Sequence, residues 1–331
     1  SLKGNIMNGK TVGAGLLAAC ALALPLSAAA AYPEKPVKLV IGFSAGGPTD
    51  IVGRYLAQGL SEKLGQTIVV ENRPGATGVL ALQSVKKEKP DGYTLMLGSS
   101  STLSIEPVFK KNVKFDVFRE LTPIAPVASY PYLLVVPASS PYTSINSLVQ
   151  GAKKQPGTLT FASAGNGAVN HLAGEWFKSQ SGIDITHIPY KGDSAALSDL
   201  VAGRVDMAFL SIIAADPQIA AGKMKALGIA STGPSQLKSG MPTVASESGI
   251  DGFSAEPWNG VLGPADMPPE IVTKLNTAIT EIMSTDQAKE KLATLGQSPF
   301  VGTADEFAAH IRSEMTRWSG VIKKANIEQV E

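Results

Sequence analysis

Cysteine is nearly missing: the 331 residues contain one, Cys20, and it falls in a segment with the marks of an export leader. A chain processed after it has no thiol nucleophile, no disulfide and no cysteine metal site. Histidine is scarce as well. His171, His187 and His310 show neither H-x-H nor H-E-x-x-H spacing, so a histidine metal site has no support. No G-x-S-x-G occurs, which argues against an α/β-hydrolase. The two S-x-x-K matches, at Ser84 and Ser235, lack any companion K-T-G or S-D-N and fall in expected surface helix or loop. Charged residues make up 17%, with 29 basic against 28 acidic, below the usual ~25%. Nucleic acid is therefore not an expected partner, and an anion would be captured by local geometry rather than by a global field. No stretch beyond the leader approaches the roughly 18 apolar residues of a membrane span. No metal and no cofactor is expected, and the chain reads as a binding protein rather than an enzyme.

The leader itself is well marked. Lys3 and Lys10 supply a basic start, residues 12–26 are uncharged, and Ser27-Ala28-Ala29-Ala30-Ala31 offers small residues for cleavage just before Ala31 or Tyr32. Export to the periplasm is the expectation, with residues 1–31 as signal peptide. Leu17-Ala18-Ala19-Cys20 also matches a lipoprotein cleavage box, the weaker alternative because an apolar tether from Ala21 to Leu26 would remain.

Beyond the leader, strand-like and helix-like segments alternate, which predicts βα units and a mostly parallel sheet in each of two lobes. One local design occurs twice. Strand 37–43 runs into Ser44-Ala45-Gly46-Gly47-Pro48-Thr49-Asp50 and a helix over 51–64; strand 159–163 runs into Ala164-Gly165-Asn166-Gly167 and a helix over 168–177. Glycines before a helix start present bare N–H groups and a positive dipole end, which suits an anion. A third polar turn, Gly98-Ser99-Ser100-Ser101-Thr102, ends the strand 93–97, at the edge where open α/β sheets hold ligands. Residues 125–136 and 253–263 read as two crossings between the lobes, a hinge that permits closure. Ile271, Leu275, Ile279 and Ile282 mark one helical face, and Thr303 with Glu306 forms a capping box for a last helix. Both carboxyl-terminal helices are expected to pack on the first lobe.

At these motifs the chain resembles the substrate-binding proteins of tripartite tricarboxylate transporters, the Bug-type receptors. The matching pieces are Tyr32-Pro33-Glu34-Lys35-Pro36-Val37, Gly42-Phe43 with the first turn through Asp50, and Glu71-Asn72-Arg73-Pro74-Gly75-Ala76. Lys89-Pro90-Asp91-Gly92-Tyr93-Thr94, His171-Leu172-Ala173-Gly174-Glu175, Ile188-Pro189-Tyr190-Lys191-Gly192 and Gly203-Arg204-Val205-Asp206 complete the set, covering 32–322. The resemblance implies a type II periplasmic-binding-protein fold: two α/β lobes, a two-strand hinge and a ligand cleft between them. It also implies no catalysis, a small organic carboxylate as ligand (a di- or tricarboxylate, amino acid or aromatic acid) and membrane permease subunits as partners. The segment Gly263-Pro264-Ala265-Asp266-Met267-Pro268 departs from the family tendency to small or polar residues there. The expected division is 32–131 and 256–331 for the first lobe and 132–255 for the second, with a monomer expected. A receptor feeding a signalling partner is the alternative, and a hydrolase the lesser one.

The candidate ligand residues follow. Backbone N–H groups from Phe43, Ser44, Ala45, Gly46 and Gly47 would hold a carboxylate, with Thr49 or Asp50 as helix cap; the turn lacks G-x-G-x-x-G and G-K-[ST], which disfavours a nucleotide. Ser163, Gly165 and Asn166 form the second site, unless Asn166 is only a left-handed turn residue. Ser99 and Ser101 lead the hydroxyl donors, on the expectation that one or two of the neighbouring side chains face solvent. Asp206 would meet a ligand hydroxyl, an amino group or a bridging water, or else cap a backbone group. Tyr190 lies just past a strand end beside Lys191, whose simpler reading is a solvated lysine. Trp258 is either a stacking platform or hinge packing. His171 is read as a helix-packing residue and His310 as surface.

Overall fold

The structure, a computed structural model, describes residues 32–113 and 115–331; the leader, its cleavage site and Cys20 lie outside them. The first sheet begins with three parallel strands, β1 (Val37–Ile41), β2 (Ile68–Asn72) and β3 (Thr94–Ser99). Between them run α1 (Pro48–Leu64) and α2 (Val79–Val85). Helix α1 buries Val52, Leu56 and Leu60 at i, i+4 spacing and stops at Gly65, whose φ of 69° is a left-handed cap. After β3 a wide π-type turn, Ser101–Ile105, leads into the short α3 (Glu106–Phe109) and α4 (Val117–Glu120). Strand β4 (Leu121–Ser129) completes this part of the sheet.

The chain leaves the first sheet at Ser129 and enters the second at Tyr132, where β5 (Tyr132–Pro137) begins. Helix α5 (Ile145–Lys154), β6 (Leu159–Ser163), α6 (Val169–Ser181) and β7 (Ile185–Pro189) follow. Then come α7 (Asp193–Val201), β8 (Met207–Ser211), α8 (Ile212–Ala220), β9 (Met224–Ile229) and α9 (Val244–Ser248). The second sheet is ordered β7-β6-β8-β5-β9. The return is β10 (Trp258–Pro264), inserted between β3 and β4; α10 (Pro269–Met283), α11 (Asp286–Thr294), β11 (Ser298–Pro299) and α12 (Ala304–Lys324) end the fold.

Both sheets are mixed, where the alternation of strands and helices predicted mostly parallel ones. Strands β5 and β10, which begin just after the chain crosses, run against their neighbours on both sides. The two crossings are bonded to each other: Tyr130 N–H donates to Pro257 O at 2.9 Å and Tyr132 N–H to Ala255 O at 3.0 Å. The last helix also differs from its expected placement. Phe307 and Ile311 of α12 join the core against β3, β10 and α2, but Trp318, Val321 and Ile322 join the other core, with Phe161, Trp176 and Phe253. The apolar stripe of α12 is long enough to serve both sheets, so this helix straddles them.

Candidate functional site

The first turn is an open loop held in shape by a carboxylate of the protein itself. Helix α1 is capped by Gly47 at φ −81° and ψ 170°, with Pro48 next and no side-chain cap, so neither Thr49 nor Asp50 is the cap. Asp50 Oδ2 instead accepts the Gly46 N–H and the Arg54 Nε–H, each at 2.9 Å. Its Oδ1 accepts from Asn72 Nδ2, which also donates to Phe43 O. Burial pushes the Asp50 carboxyl up, but the bonds from Arg54, Gly46 and Asn72 outweigh it and hold the group below the usual carboxylate range. Gly46 takes φ 83°, a conformation open to glycine, whereas Gly47 does not need it. Ser44, Ala45 and Gly46 are exposed. The N–H groups of Ser44 and Ala45 meet no acceptor among the described residues, while the turn over Ala45–Gly46 brings the Gly47 N–H toward Ser44 O.

The second turn is a different kind of object. All but one of its N–H groups are already taken: Ala164 donates to Asn170 Oδ1, Gly165 to Ser163 Oγ, Gly167 to His171 Nδ1, Ala168 to Gly165 O, and Val169 to Ser101 Oγ across from the first sheet, while the Asn166 N–H meets no acceptor among the described residues. Gly165 and Gly167 supply the positive φ values, 129° and 81°, so Asn166 is not the left-handed residue. Asn166 is exposed, and its carbonyl accepts from Thr77 Oγ1 at 3.2 Å. Two histidines brace this turn. His187 Nε2 lies 2.6 Å from Ser163 Oγ, and the His171 and His187 rings stack at 4.0 Å. Burial pushes both imidazoles down, His171 to about 3 and His187 to about 4.

The two turns are bridged by the segment after β2. Thr77 reaches Asn166, and a Cβ on its neighbour Gly78 would stand 3.4 Å from the Phe43 ring. The serine turn lies between them and is wholly buried, contrary to the expectation that part of it faces solvent: Ser99, Ser100, Ser101 and Thr102 are at most 8% exposed. Each hydroxyl has a protein partner, because a buried O–H left unpaired is costly. Ser99 Oγ pairs with Thr102 Oγ1, Thr102 donates to Thr77 O, Ser100 Oγ accepts the Trp258 N–H, and Ser101 accepts from Val169.

Three candidates turn their side chains to partners outside these turns. Asp206 Oδ2 accepts from both Thr160 N and Thr160 Oγ1, at 2.8 and 2.9 Å. Strands β6 and β8 are parallel, so the residue before β8 lies beside the start of β6, at the opposite edge from Ser163. The capping role accounts for it. Tyr190 sends its hydroxyl to Asp199, itself paired with Arg204, and burial with that bond pushes the phenol up to about 12; its backbone N–H supports the second turn through Ser163 O. Trp258 is 2% exposed and meets Phe307 and His310 edge-on at 5.6 and 5.0 Å, in the first sheet's core. His310 is accordingly half-buried rather than a surface residue. Lys191 is exposed.

Between the sheets lies a row of polar groups that sequence reasoning passed over. Tyr130 and Tyr132 flank the crossing, 6% and 5% exposed, with rings 5.9 Å apart. Thr49 Oγ1 accepts from Asn259 Nδ2 at 3.2 Å. At the other end, Asp193 opens α7 and accepts from Asn170 Nδ2 at 3.0 Å. Burial raises both phenols, and the Asp193 charge raises them further. Asp193 itself is pushed up to about 6 by burial, against the pull of Asn170. The only advance signal was position: Asp193 directly follows Lys191-Gly192 at a strand end. A groove of about 760 Å³ bordered by Thr232, Pro234, Met241 and Phe253 lies elsewhere on the second sheet's side and contains none of these residues.

Two mixed α/β sheets joined by paired crossings, with polar turns at the strand ends, define the solute-binding class of protein. The comparisons narrow this. Residues 52–327 match the model of the tripartite tricarboxylate transporter family receptor, TctC, and the chain belongs to that family. BugT of Bordetella pertussis is 35% identical over 309 residues, 93% of this chain and 94% of BugT. A protein from the tcbD-tcbE intergenic region of Pseudomonas sp. strain P51 is 35% identical over 93% of both chains. Among solved structures, R. palustris Rpa4515 with adipate has a TM-score of 0.86 at 34% identity, covering 90% of this chain and 99% of that one. MatC from Rhodopseudomonas palustris with bound malate has 0.80 at 30%, covering 88% and 100%. The periplasmic binding protein BugD has a TM-score of 0.82 at 31% identity, with coverage of 90% and 99%. Among the described residues no helix is long and apolar enough to cross a membrane.

Proposed function

We propose that the chain is a periplasmic receptor that captures a small organic carboxylate and delivers it to the membrane subunits of a tripartite tricarboxylate transporter, without chemistry. The observation that carries this reading is the first turn, where the N–H groups of Ser44 and Ala45 stand unmatched on exposed residues at the head of α1. Donors fixed in this way favour an anion over water because they need no reorganisation. The two relatives solved with adipate and malate lend support, since both ligands are small dicarboxylates. In this reading 32–131 and 256–331 form one lobe and 132–255 the other. The ligand carboxylate binds the first turn, and the lobes close on the remainder of the molecule about the paired crossings. Each charge-assisted hydrogen bond contributes about 1.5–3 kcal/mol.

A thermal-shift screen of organic acids on the purified protein tests this. Stabilisation by at least one small carboxylic acid is expected, growing with ligand concentration. No stabilisation by any acid, with turnover of an ester or amide, would reverse the assignment to a binding protein.

A further inference from the structure

The unmatched polar atoms of the proposed cleft divide by sign. At the first turn they are donors; deeper between the sheets the carboxamides leave acceptors. Asn259 is fully buried on β10, and its Nδ2 donates to Thr49 Oγ1 and Gly98 O, while its Oδ1 has no partner. Gln297, 1% exposed, gives Nε2 to Pro48 O and leaves Oε1 unpaired. A carbonyl acceptor fixes each amide's orientation, so the unmatched atom in both is the oxygen. Ser211 ends β8 directly across from Tyr132, 1% exposed, and its Oγ is also unpaired.

Asp193 belongs to the same region. Asn170, its donor, also reaches Phe209 O on β8, two residues before Ser211. Tyr132 pairs with Ser211, and the Asp193 charge bears on Tyr132 and Tyr130. Among the described residues no lysine or arginine pairs with Asp193. A part-buried carboxylate with one neutral donor is poorly compensated, and a second carboxylate brought beside it would make matters worse. A ligand that carries its own cation removes both costs. An ammonium also brings three donors to the site, against one from a hydroxyl.

We infer that Asp193 makes this receptor select amino dicarboxylic acids, with a ligand carboxylate on the first turn and the ligand ammonium on Asp193. This rests on the carboxylate-receptor reading and names its substrate class. The raised Asp193 carboxyl is consistent with it, since an arriving cation would restore the ionised form.

Isothermal titration with matched pairs tests the inference: aspartate against succinate, glutamate against glutarate, and 2-aminoadipate against adipate, with malate as the hydroxyl arm. At least one amino acid is expected to bind about tenfold tighter than its deamino partner, the worth of a charge-assisted bond. In Asp193→Asn that ratio is expected to collapse below about threefold. The ratio is taken within one variant, so a purely structural role of Asp193 in α7 would weaken both partners and leave it unchanged. Deamino acids binding as tightly as their amino partners, or a ratio unaltered in the variant, would overturn the assignment of Asp193 while leaving the carboxylate receptor standing. Preference for malate alone would overturn the ammonium. Binding of no acid at all would overturn the receptor reading and this inference with it.

Discussion

The Asp50 carboxylate accepts the Gly46 N–H at 2.9 Å, so the loop proposed to hold a ligand anion is shaped by an anion of its own. That bond removes one donor from the loop. It also brings Arg54 close to the turn, where it neutralises Asp50.

Asp50→Ala is expected to lower both stability and affinity. The Gly46 and Asn72 donors lose a part-buried partner, a loss of about 1–3 kcal/mol; Arg54 is about half exposed and adds little. Urea denaturation and titration with the best acid of the screen measure the two effects. An unchanged unfolding midpoint would show that the turn holds its form without Asp50.

Gly47→Leu separates binding from folding more sharply. Gly47 has an ordinary extended φ of −81°, and a Cβ there would meet only Ser44 O at 3.6 Å. The empty protein should lose no more than about 1 kcal/mol, the cost of an apolar residue at a helix N-cap, while acid binding is lost because the side chain covers the donors. Gly167→Ala is the contrast. Its φ is 81° and a Cβ would stand 2.9 Å from Glu106 Oε1, so stability itself should fall by more than about 1 kcal/mol. A large stability loss at Gly47 would mark the first turn as structural.

The fold was more legible than the site, for a physical reason. Apolar periodicity and turn residues are local, and strand β6 over 159–163 and the end of α1 at Leu64 fall where they predict. Backbone donors are local in sequence but their partners are not. Nothing in Gly165-Asn166-Gly167 announces that Asn170, His171 and the remote Ser101 take the surrounding N–H groups. Asp206 was misleading for a similar reason, because strand direction decides which sheet edge an acid occupies. Tyr130 and Asp193 are brought into one region by strand pairing, with no motif to mark either.

Trp258 offers a direct choice between packing and stacking. It is buried against Phe307 and His310, so Trp258→Ala should cost about 3–5 kcal/mol. Trp258→Phe, which keeps an aromatic against Phe307, should recover much of that and bind the acid with unchanged affinity. A selective loss of affinity in Trp258→Phe, with stability retained, would place the indole at the ligand instead.

The histidine pair makes stability fall in acid. Both imidazoles are held neutral by burial, near 3 for His171 and 4 for His187, below the ordinary 6.5. Between those values and 6.5 the unfolded chain binds more protons than the folded one, so stability is complete above about 6.5 and is lost as pH falls toward 4 and 3. Protonation also removes the Nδ1 acceptor that holds Gly167 N–H, so the second turn loosens together with the core. Neighbouring groups matter to the total. Phe109 packs on His171, the Lys178 charge bears on His187, and Glu106 faces Gly167. Burial raises the carboxyls of Asp193, Glu106 and Glu175, and these contribute the opposite slope. The difference between variants therefore isolates the imidazole. His171→Gln keeps an acceptor for Gly167 and cannot titrate, so its unfolding midpoint should fall less than the parent's between pH 6.5 and 4, while the two proteins run parallel above pH 7. Parallel curves across the whole range would show that His171 does not change protonation on unfolding.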